Sequence, residues 1–266
     1  MEAMDWSKKK VLVTGASSGL GLELARLLFK NGARLVLTYR SEKHLAAAKA
    51  VLGQGDYAFL YLDQGKRESV SSFLASVSSF DCVFLNAGVY FPSGSNMAFP
   101  GATFRVNAVG TYLLLKGLIA KGTSSFVLTS SMNRAWPLKG IEALCGKMVS
   151  PRASYAYSKE ALSAFPCLFP EIDVKVVEPG LLKTNIYGKT APFFWKLANR
   201  LLLPMGTKAE DAAGQMLTIP GREGVSFAPK GLFRLRGQLV PFIYDRAQKE
   251  KEGRSFLRLL DKAGLI

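Results

Sequence analysis

The sequence predicts one α/β domain built on a doubly wound parallel sheet, and three observations carry that reading. Short apolar runs rich in β-branched residues alternate with helical patterns as far as Glu178. A glycine-rich turn separates the first run from the first helix. The chain has 266 residues, 48% of them hydrophobic, which suits one large domain with a sizeable core.

Taken in order, Lys10–Thr14, Arg34–Tyr39, Tyr57–Leu62, Asp81–Asn86, Ser125–Ser130 and Asp173–Glu178 read as strands. Their nearly continuous apolar character is expected of strands covered on both faces. Gly21–Asn31 reads as an amphipathic helix closed by Gly32, which makes half of a βαβ unit. Repetition of that unit implies right-handed crossovers in a Rossmann-type sheet. Past Gly188 the pattern changes. Pro192–Pro204 is aromatic and amphipathic, Thr207–Met216 is helical, and Gly224–Ala228 adds a strand. Gln248–Ile266 reads as a charged helix with Phe256, Leu257, Leu259 and Leu260 on its apolar side. The domain 1–266 thus divides into a regular α/β core, 8–190, and an appendage, 191–266.

Composition removes several chemistries. No run reaches the roughly 18–20 apolar residues that span a bilayer. The start of the chain has no secretory pattern, so a soluble, cytoplasmic protein is expected. Cys82, Cys145 and Cys167 show no CxxC spacing, which argues against a disulfide framework or a zinc site. His44 is the only histidine, so no metal site of histidines and no Ser/His/Asp triad is expected. A proton-transfer enzyme must then use another acid/base. The formal charge of +15 is dispersed, with no nucleic-acid-binding motif. It fits a phosphate-bearing cofactor first, and weak peripheral contact with an anionic membrane second.

Thr14-Gly15-Ala16-Ser17-Ser18-Gly19-Leu20-Gly21 follows the first strand and opens the first helix. Gly15, Ser17, Ser18, Gly19, Leu20 and Gly21 are therefore placed around a dinucleotide pyrophosphate, where a helix N-terminus offers N–H donors. The end of the second strand carries Arg40 where an acidic residue would favour NAD. A guanidinium there can pair with a 2′-phosphate, so NADP(H) is preferred over NAD(H). Ser18 supplies no second cation. Asp63 reads either as a contact to the adenine edge or as a helix cap.

Tyr-x-x-x-Lys occurs three times, at Tyr39/Lys43, Tyr112/Lys116 and Tyr155/Lys159. Only Tyr155/Lys159 lies after the fifth strand and ahead of the sixth. The i,i+4 spacing puts both side chains on one helix face. A phenol ordinarily titrates near 10, so an adjacent ammonium is what suits it to acid/base work near neutral pH.

These segments together resemble the short-chain dehydrogenases/reductases. The resemblance runs through Thr14–Gly21, LNAG at Leu85–Gly88, VNAVG at Val106–Gly110 and LTSS at Leu128–Ser131. YAYSK at Tyr155–Lys159 and EPG at Glu178–Gly180 followed by Thr184 complete it, over roughly residues 8–190. It implies that Asn86, Ala87 and Gly88 stabilise the sheet beside the cofactor and that Asn107 holds a relay water. Ser131, or alternatively Ser130, would hydrogen-bond the substrate oxygen. Tyr155 would exchange the proton, and Lys159 would bind the nicotinamide ribose and depress the Tyr155 pKa. Pro179, Gly180 and Thr184 would position the nicotinamide.

Two departures stand out. Ser131 and Tyr155 are 24 positions apart, about twice the common interval, as in the retinol-dehydrogenase-like branch. The stretch Asn133–Ser154, with Trp136, Pro137, Leu138 and Ile141, is expected to border the substrate cleft. Pro166 and Pro170 suggest that the Tyr155 helix stops near Phe165. Relatives use that helix to pack as tetramers, so a monomer or dimer is expected here. The expected activity is interconversion of a carbonyl and an alcohol on a hydrophobic small molecule, with Phe193, Phe194 and Trp195 as further candidates for the cleft wall. Residues 192–203 read as a lid or as a membrane contact. A non-catalytic NADP(H)-binding regulator or scaffold is the rival reading.

Overall fold

A computed structural model describes residues 4–91, 98–132, 138, 140–182, 206–230, 238–242 and 245–266. Eight strands form one sheet in the order β3-β2-β1-β4-β5-β6-β7-β8. They are β1 Lys10–Val13, β2 Arg34–Tyr39, β3 Tyr57–Tyr61, β4 Cys82–Leu85, β5 Ser125–Thr129, β6 Asp173–Val177, β7 Ser226–Pro229 and β8 Leu239–Pro241. The first seven are parallel, and β8 returns antiparallel against β7. Chain direction across the sheet reverses between β1 and β4, which opens a crevice at their C-terminal ends.

Side-chain alternation divides the core between the two faces of the sheet. Leu12, Val83, Leu85, Phe126 and Leu128 join one cluster with Phe165 and Phe256. Val11, Val13, Phe84 and Val127 join the other with Leu24, Leu28 and Phe227. The continuous apolar strands follow from this two-sided burial.

Helix α1 (Gly19–Lys30) ends at Asn31, with Gly32 taking the left-handed conformation (φ +79°). Helices α2 (Leu45–Leu52) and α3 (Arg67–Ser76) follow β2 and β3. After β4, α4 (Ala102–Phe104) runs through a wide π-helical turn, Arg105–Gly110, into α5 (Thr111–Ile119). The Gln64 side chain donates to the Val106 carbonyl at 3.2 Å and to the Thr111 hydroxyl at 3.1 Å, satisfying polar groups at the widened turn.

Helix α6 (Pro151–Leu168) starts with Ser150 accepting from the Ala153 N–H at 3.2 Å and Pro151 in its first turn. It does not stop at Phe165. Pro166 sits within the last turn, where its missing N–H costs one hydrogen bond without ending the helix. The stop comes at Phe169 (φ −136°), because the residue before Pro170 is driven out of the helical region.

Helix α7 (Ala209–Met216) covers α1, and the C-terminal helix α8 (Arg246–Lys262) covers α6. Phe256, Leu259 and Leu260 are buried and Leu257 is partly buried. The stretch before α6 departs from expectation. Leu138 and Ile141 do not border a cleft but belong to the core beside α8. A short 3₁₀ turn, Ile141–Leu144, packs on α8, where Arg258 holds Glu142 at 2.9 Å. Trp136, Pro137 and Phe193–Trp195 lie outside the described residues. No described helix is long and apolar enough to cross a membrane.

Candidate active site

The glycine turn sits in the crevice between β1 and β4, and its shape depends on missing side chains. Gly15 is left-handed (φ +67°), and a Cβ there would lie 3.0 Å from the Ala87 Cα. A Cβ on Gly21 would lie 2.3 Å from the Gly15 carbonyl oxygen and 2.7 Å from Asn86 Nδ2. Ser18 takes the N-cap position of α1 without a side-chain cap bond, and the first turn holds no acidic residue. The positive end of a 12-residue helix thus faces the turn with no side-chain anion of its own. Ser17 is half-buried and Ser18 and Gly19 are exposed, whereas the Leu20 side chain enters the core. This arrangement fits a dinucleotide pyrophosphate.

Asn86 and Thr14 tie the neighbouring strands together. The Thr14 hydroxyl accepts the N–H groups of Asn86 and Ala87, each at 3.0 Å. Asn86 Nδ2 donates to the Thr14 carbonyl at 3.2 Å, and the Thr129 hydroxyl donates to Asn86 Oδ1 at 3.3 Å. The floor of the crevice is therefore fixed across β1, β4 and β5.

Tyr155 and Lys159 share one face of α6. Tyr155 is 9% and Lys159 3% exposed, and Lys159 Nζ is 6.0 Å from the Tyr155 ring centroid. Lys159 Nζ donates to the Thr129 carbonyl at 2.8 Å. A Cβ on Gly88 would lie 3.1 Å from Nζ, so a side chain there would crowd the ammonium. Burial pulls the Lys159 ammonium down to about 8.

Asn107, buried on the π-helical turn, has specific partners. Its Oδ1 accepts the Val89 N–H at 2.8 Å, while Nδ2 donates to the Val89 carbonyl at 2.9 Å and to the Ser158 hydroxyl at 3.1 Å. Ser158 in turn donates to the Tyr155 carbonyl at 2.7 Å. Asn107 therefore links the loop after Gly88 to the helix carrying Tyr155. Its Oδ1 has a second lone pair through which a water could be held.

The two serines separate. Ser130 is buried and donates to the Lys159 carbonyl at 2.9 Å, so its hydroxyl braces α6. Ser131 is half-buried at the C-terminal end of β5. Arg40 is exposed beyond β2, with its guanidinium 5.9 Å from the centre of the Phe91 ring. Asp63 is not a helix cap. Its carboxylate accepts the Gly65 N–H at 3.0 Å, and α3 begins only after Lys66. Pro179 is buried and Gly180 is left-handed (φ +79°) beyond β6. Thr184 lies outside the described residues.

Sequence reasoning missed Ser158, Thr129 and Tyr90. Ser158 and Thr129 act through backbone and side-chain partners distant in the chain, which no local pattern announces. The Tyr90 ring stands edge-on to Tyr155, centroids 5.6 Å apart at 87°. Its place two residues after LNAG was the available signal.

Comparison with known proteins places this geometry in a family. Residues 9–192 match the family model "short chain dehydrogenase". The chain is 32% identical over 198 residues to "Dehydrogenase/reductase SDR family member 7B" of Xenopus tropicalis, covering 66% of this chain and 62% of that protein. The counterpart of that name in Danio rerio is 29% identical over 204 residues, covering 67% of this chain and likewise 62% of that protein. The match thus spans less than two thirds of these relatives' length. An uncharacterized oxidoreductase of Mycobacterium tuberculosis is 28% identical over 251 residues, covering 88% and 95% of the two chains. Among solved structures, a protein from Mycobacterium paratuberculosis shares the fold with a TM-score of 0.73 at 21% identity, covering 99% and 96%. A putative β-ketoacyl-ACP reductase gives 0.60 at 28% identity, covering 81% and 91%. With its family motifs assembled at one crevice, the chain belongs to the short-chain dehydrogenase/reductase family, whose members are NAD(P)-dependent oxidoreductases.

Proposed function

We propose that the protein reduces a carbonyl to an alcohol on a hydrophobic small molecule with NADP(H), Tyr155 acting as the proton donor. The observation that carries this reading is the pairing of Tyr155 and Lys159 on one buried face of α6, directly across from Gly88. When bound, the dinucleotide supplies or accepts the hydride. The protein's own groups handle the proton and the orientation. The Tyr155 hydroxyl donates to the oxygen of the reduced carbonyl, and the Lys159 ammonium favours the phenolate left behind. Ser131 hydrogen-bonds the same substrate oxygen, since Ser130 is engaged with the Lys159 carbonyl. Asn107 holds the water that returns a proton. Gly15, Ser17, Ser18, Gly19 and Gly21 receive the pyrophosphate, with the Leu20 backbone among them. Asn86, Ala87 and Gly88 border the cofactor, Asp63 meets its adenine edge, and Pro179, Gly180 and Thr184 position the nicotinamide.

Arg40 supports the choice of NADP(H), because its exposed guanidinium stands at the end of β2 where a 2′-phosphate is read. Structural neighbours include an NADPH complex of BdcA and an NADP complex of a Burkholderia cenocepacia dehydrogenase, each at 21% identity. The long Ser131–Tyr155 interval supports a retinol-dehydrogenase-like substrate class. The full Asn107, Ser131, Tyr155 and Lys159 set favours an enzyme over a cofactor-binding scaffold. A screen of NADPH oxidation over aldehydes and ketones of graded size, repeated with NADH, tests the proposal. Turnover with NADPH is expected. A preference for NADH would overturn the role of Arg40, and no turnover with either cofactor would overturn carbonyl reduction.

A further inference from the structure

The charge of this chain is unevenly distributed with respect to the fold. In a parallel sheet, the segments leaving the C-terminal ends of the strands gather at the edge where ligands bind. Here the segments after β4, β5 and β6 cover residues 86–101, 130–150 and 179–208. Among their described residues the one carboxylate is Glu142, against the cations Lys147 and Lys208. Glu142 is held by Arg258 of α8 at 2.9 Å. Glu178, the first residue past β6, is buried, and Glu160 of α6 is buried against Lys249. The described part of the rim after β4, β5 and β6 is therefore poor in carboxylates.

One cation outside the catalytic set stands near the chemistry. Arg152 is exposed on the first turn of α6, three residues ahead of Tyr155, a spacing that puts the two on one side of the helix. Tyr90 closes the corner with its ring edge-on to Tyr155 at 5.6 Å. Burial pushes the Tyr90 phenol up and the positive charge of Arg152 draws it back, so the guanidinium acts on this same corner. The first turn of α6 holds no acidic side chain, and its N-terminal dipole adds to the positive field.

From this juxtaposition of Arg152, Tyr90 and Tyr155 on a carboxylate-poor rim, we infer that the substrate is a carbonyl compound carrying an anionic group, carboxylate or phosphate, and that Arg152 binds that group. The inference rests on the carbonyl-reductase reading above and narrows its substrate class. Arg152 selects the substrate and does not take part in proton or hydride transfer.

The test compares an aryl ketone bearing a carboxylate with its methyl ester, using NADPH and the full chain. The wild type is expected to favour the acid in kcat/KM by about tenfold or more at low salt, as a charge-assisted contact implies. That preference should shrink as ionic strength rises. Arg152→Gln should lower the acid-to-ester ratio by about tenfold, and Arg152→Lys should restore part of it. A matched ketone phosphate and its neutral diester distinguish the two anionic groups: preference for either acid supports the inference. Equal use of acid and ester by the wild type would overturn it. So would an unchanged ratio in Arg152→Gln, or a change confined to the KM for NADPH, which would assign Arg152 to the cofactor. Loss of binding to anionic phospholipid vesicles with an unchanged ratio would assign the charge to a membrane surface, and would also overturn it. If neither ketone nor any other carbonyl is turned over, the reductase reading itself fails; reduction of the ester without preference for the acid sinks only the present inference.

Discussion

Lys159 is buried within the crevice, and its titration has a measurable consequence. Its ammonium is pulled down to about 8 from an ordinary value of 10.5 by burial. Between those values the unfolded chain binds more protons than the folded one, so stability rises with pH across that window. Burial of the charged form costs the fold most below about 8. In cofactor-free protein the unfolding midpoint of the wild type is expected to gain on that of Lys159→Met as pH goes from 8 to 10. A constant difference would contradict the burial assigned to Lys159. At this scale the sequence was legible where a residue's placement follows from its position in a motif, as for Tyr155 beside Lys159 on α6. It was not legible where the role follows from a partner. Asn107 spends its amide on Val89 and Ser158, the latter 51 positions away. Ser130 commits its hydroxyl proton to the Lys159 carbonyl 29 positions away.

Two contacts between elements are strong enough to predict from. Gly21 lets the first turn of α1 lie against the Gly15 carbonyl, and a Cβ there would come within 2.3 Å of backbone. Gly21→Ala is expected to destabilise the protein by about 1–3 kcal/mol and to weaken NADPH binding, read by thermal unfolding and fluorescence titration. A variant with wild-type stability and affinity would show that the turn relaxes freely. The second contact joins α6 to α8. Lys249 Nζ pairs with Glu160 Oε1 and lies 2.7 Å from Glu252 Oε2, while Ser163 and Gln248 add hydrogen bonds at 3.0 and 2.9 Å. Lys249→Met removes the ammonium shared by two buried carboxylates and is expected to cost about 3–5 kcal/mol in chemical denaturation. A loss below 1 kcal/mol, about the value of an exposed pair, would show that the triad is solvated. The inner strands β1, β4, β5 and β6 were readable because burial on both faces makes them continuously apolar, whereas β3 lies at the sheet edge and is only partly buried. The three-residue β8 has too little sequence to show a period, and nothing local marks Lys249 as the partner of a glutamate 89 residues earlier.

For the molecule as a whole, α8 is the element that closes over α6. It covers α6 along Ala164 and Leu168, so closely that a Cβ on Gly253 would lie 2.8 Å from Leu168 Cδ2. The helix for which the family resemblance implies tetramer packing thus has part of its surface occupied by its own chain. Light scattering in solution is expected to give a monomer or dimer, and a tetramer would contradict that reading. The same helix holds the 3₁₀ turn ahead of α6 through Arg258 and Glu142, which explains why Leu138 and Ile141 became core and not cleft. Sequence alone assigned them to the cleft because chain proximity to Ser131 says nothing of a helix that arrives a hundred residues later. Residues 192–203, read from the sequence as a lid or a membrane contact, lie outside the described residues.

The central claim is that Tyr155 supplies the proton for carbonyl reduction at this crevice. Pre-steady-state NADPH oxidation by the wild type and Tyr155→Phe, with NADPH binding measured in parallel, tests it most directly. The expected result is a rate about 10²–10⁴-fold lower in Tyr155→Phe with binding retained. Equal rates in the two proteins would contradict it.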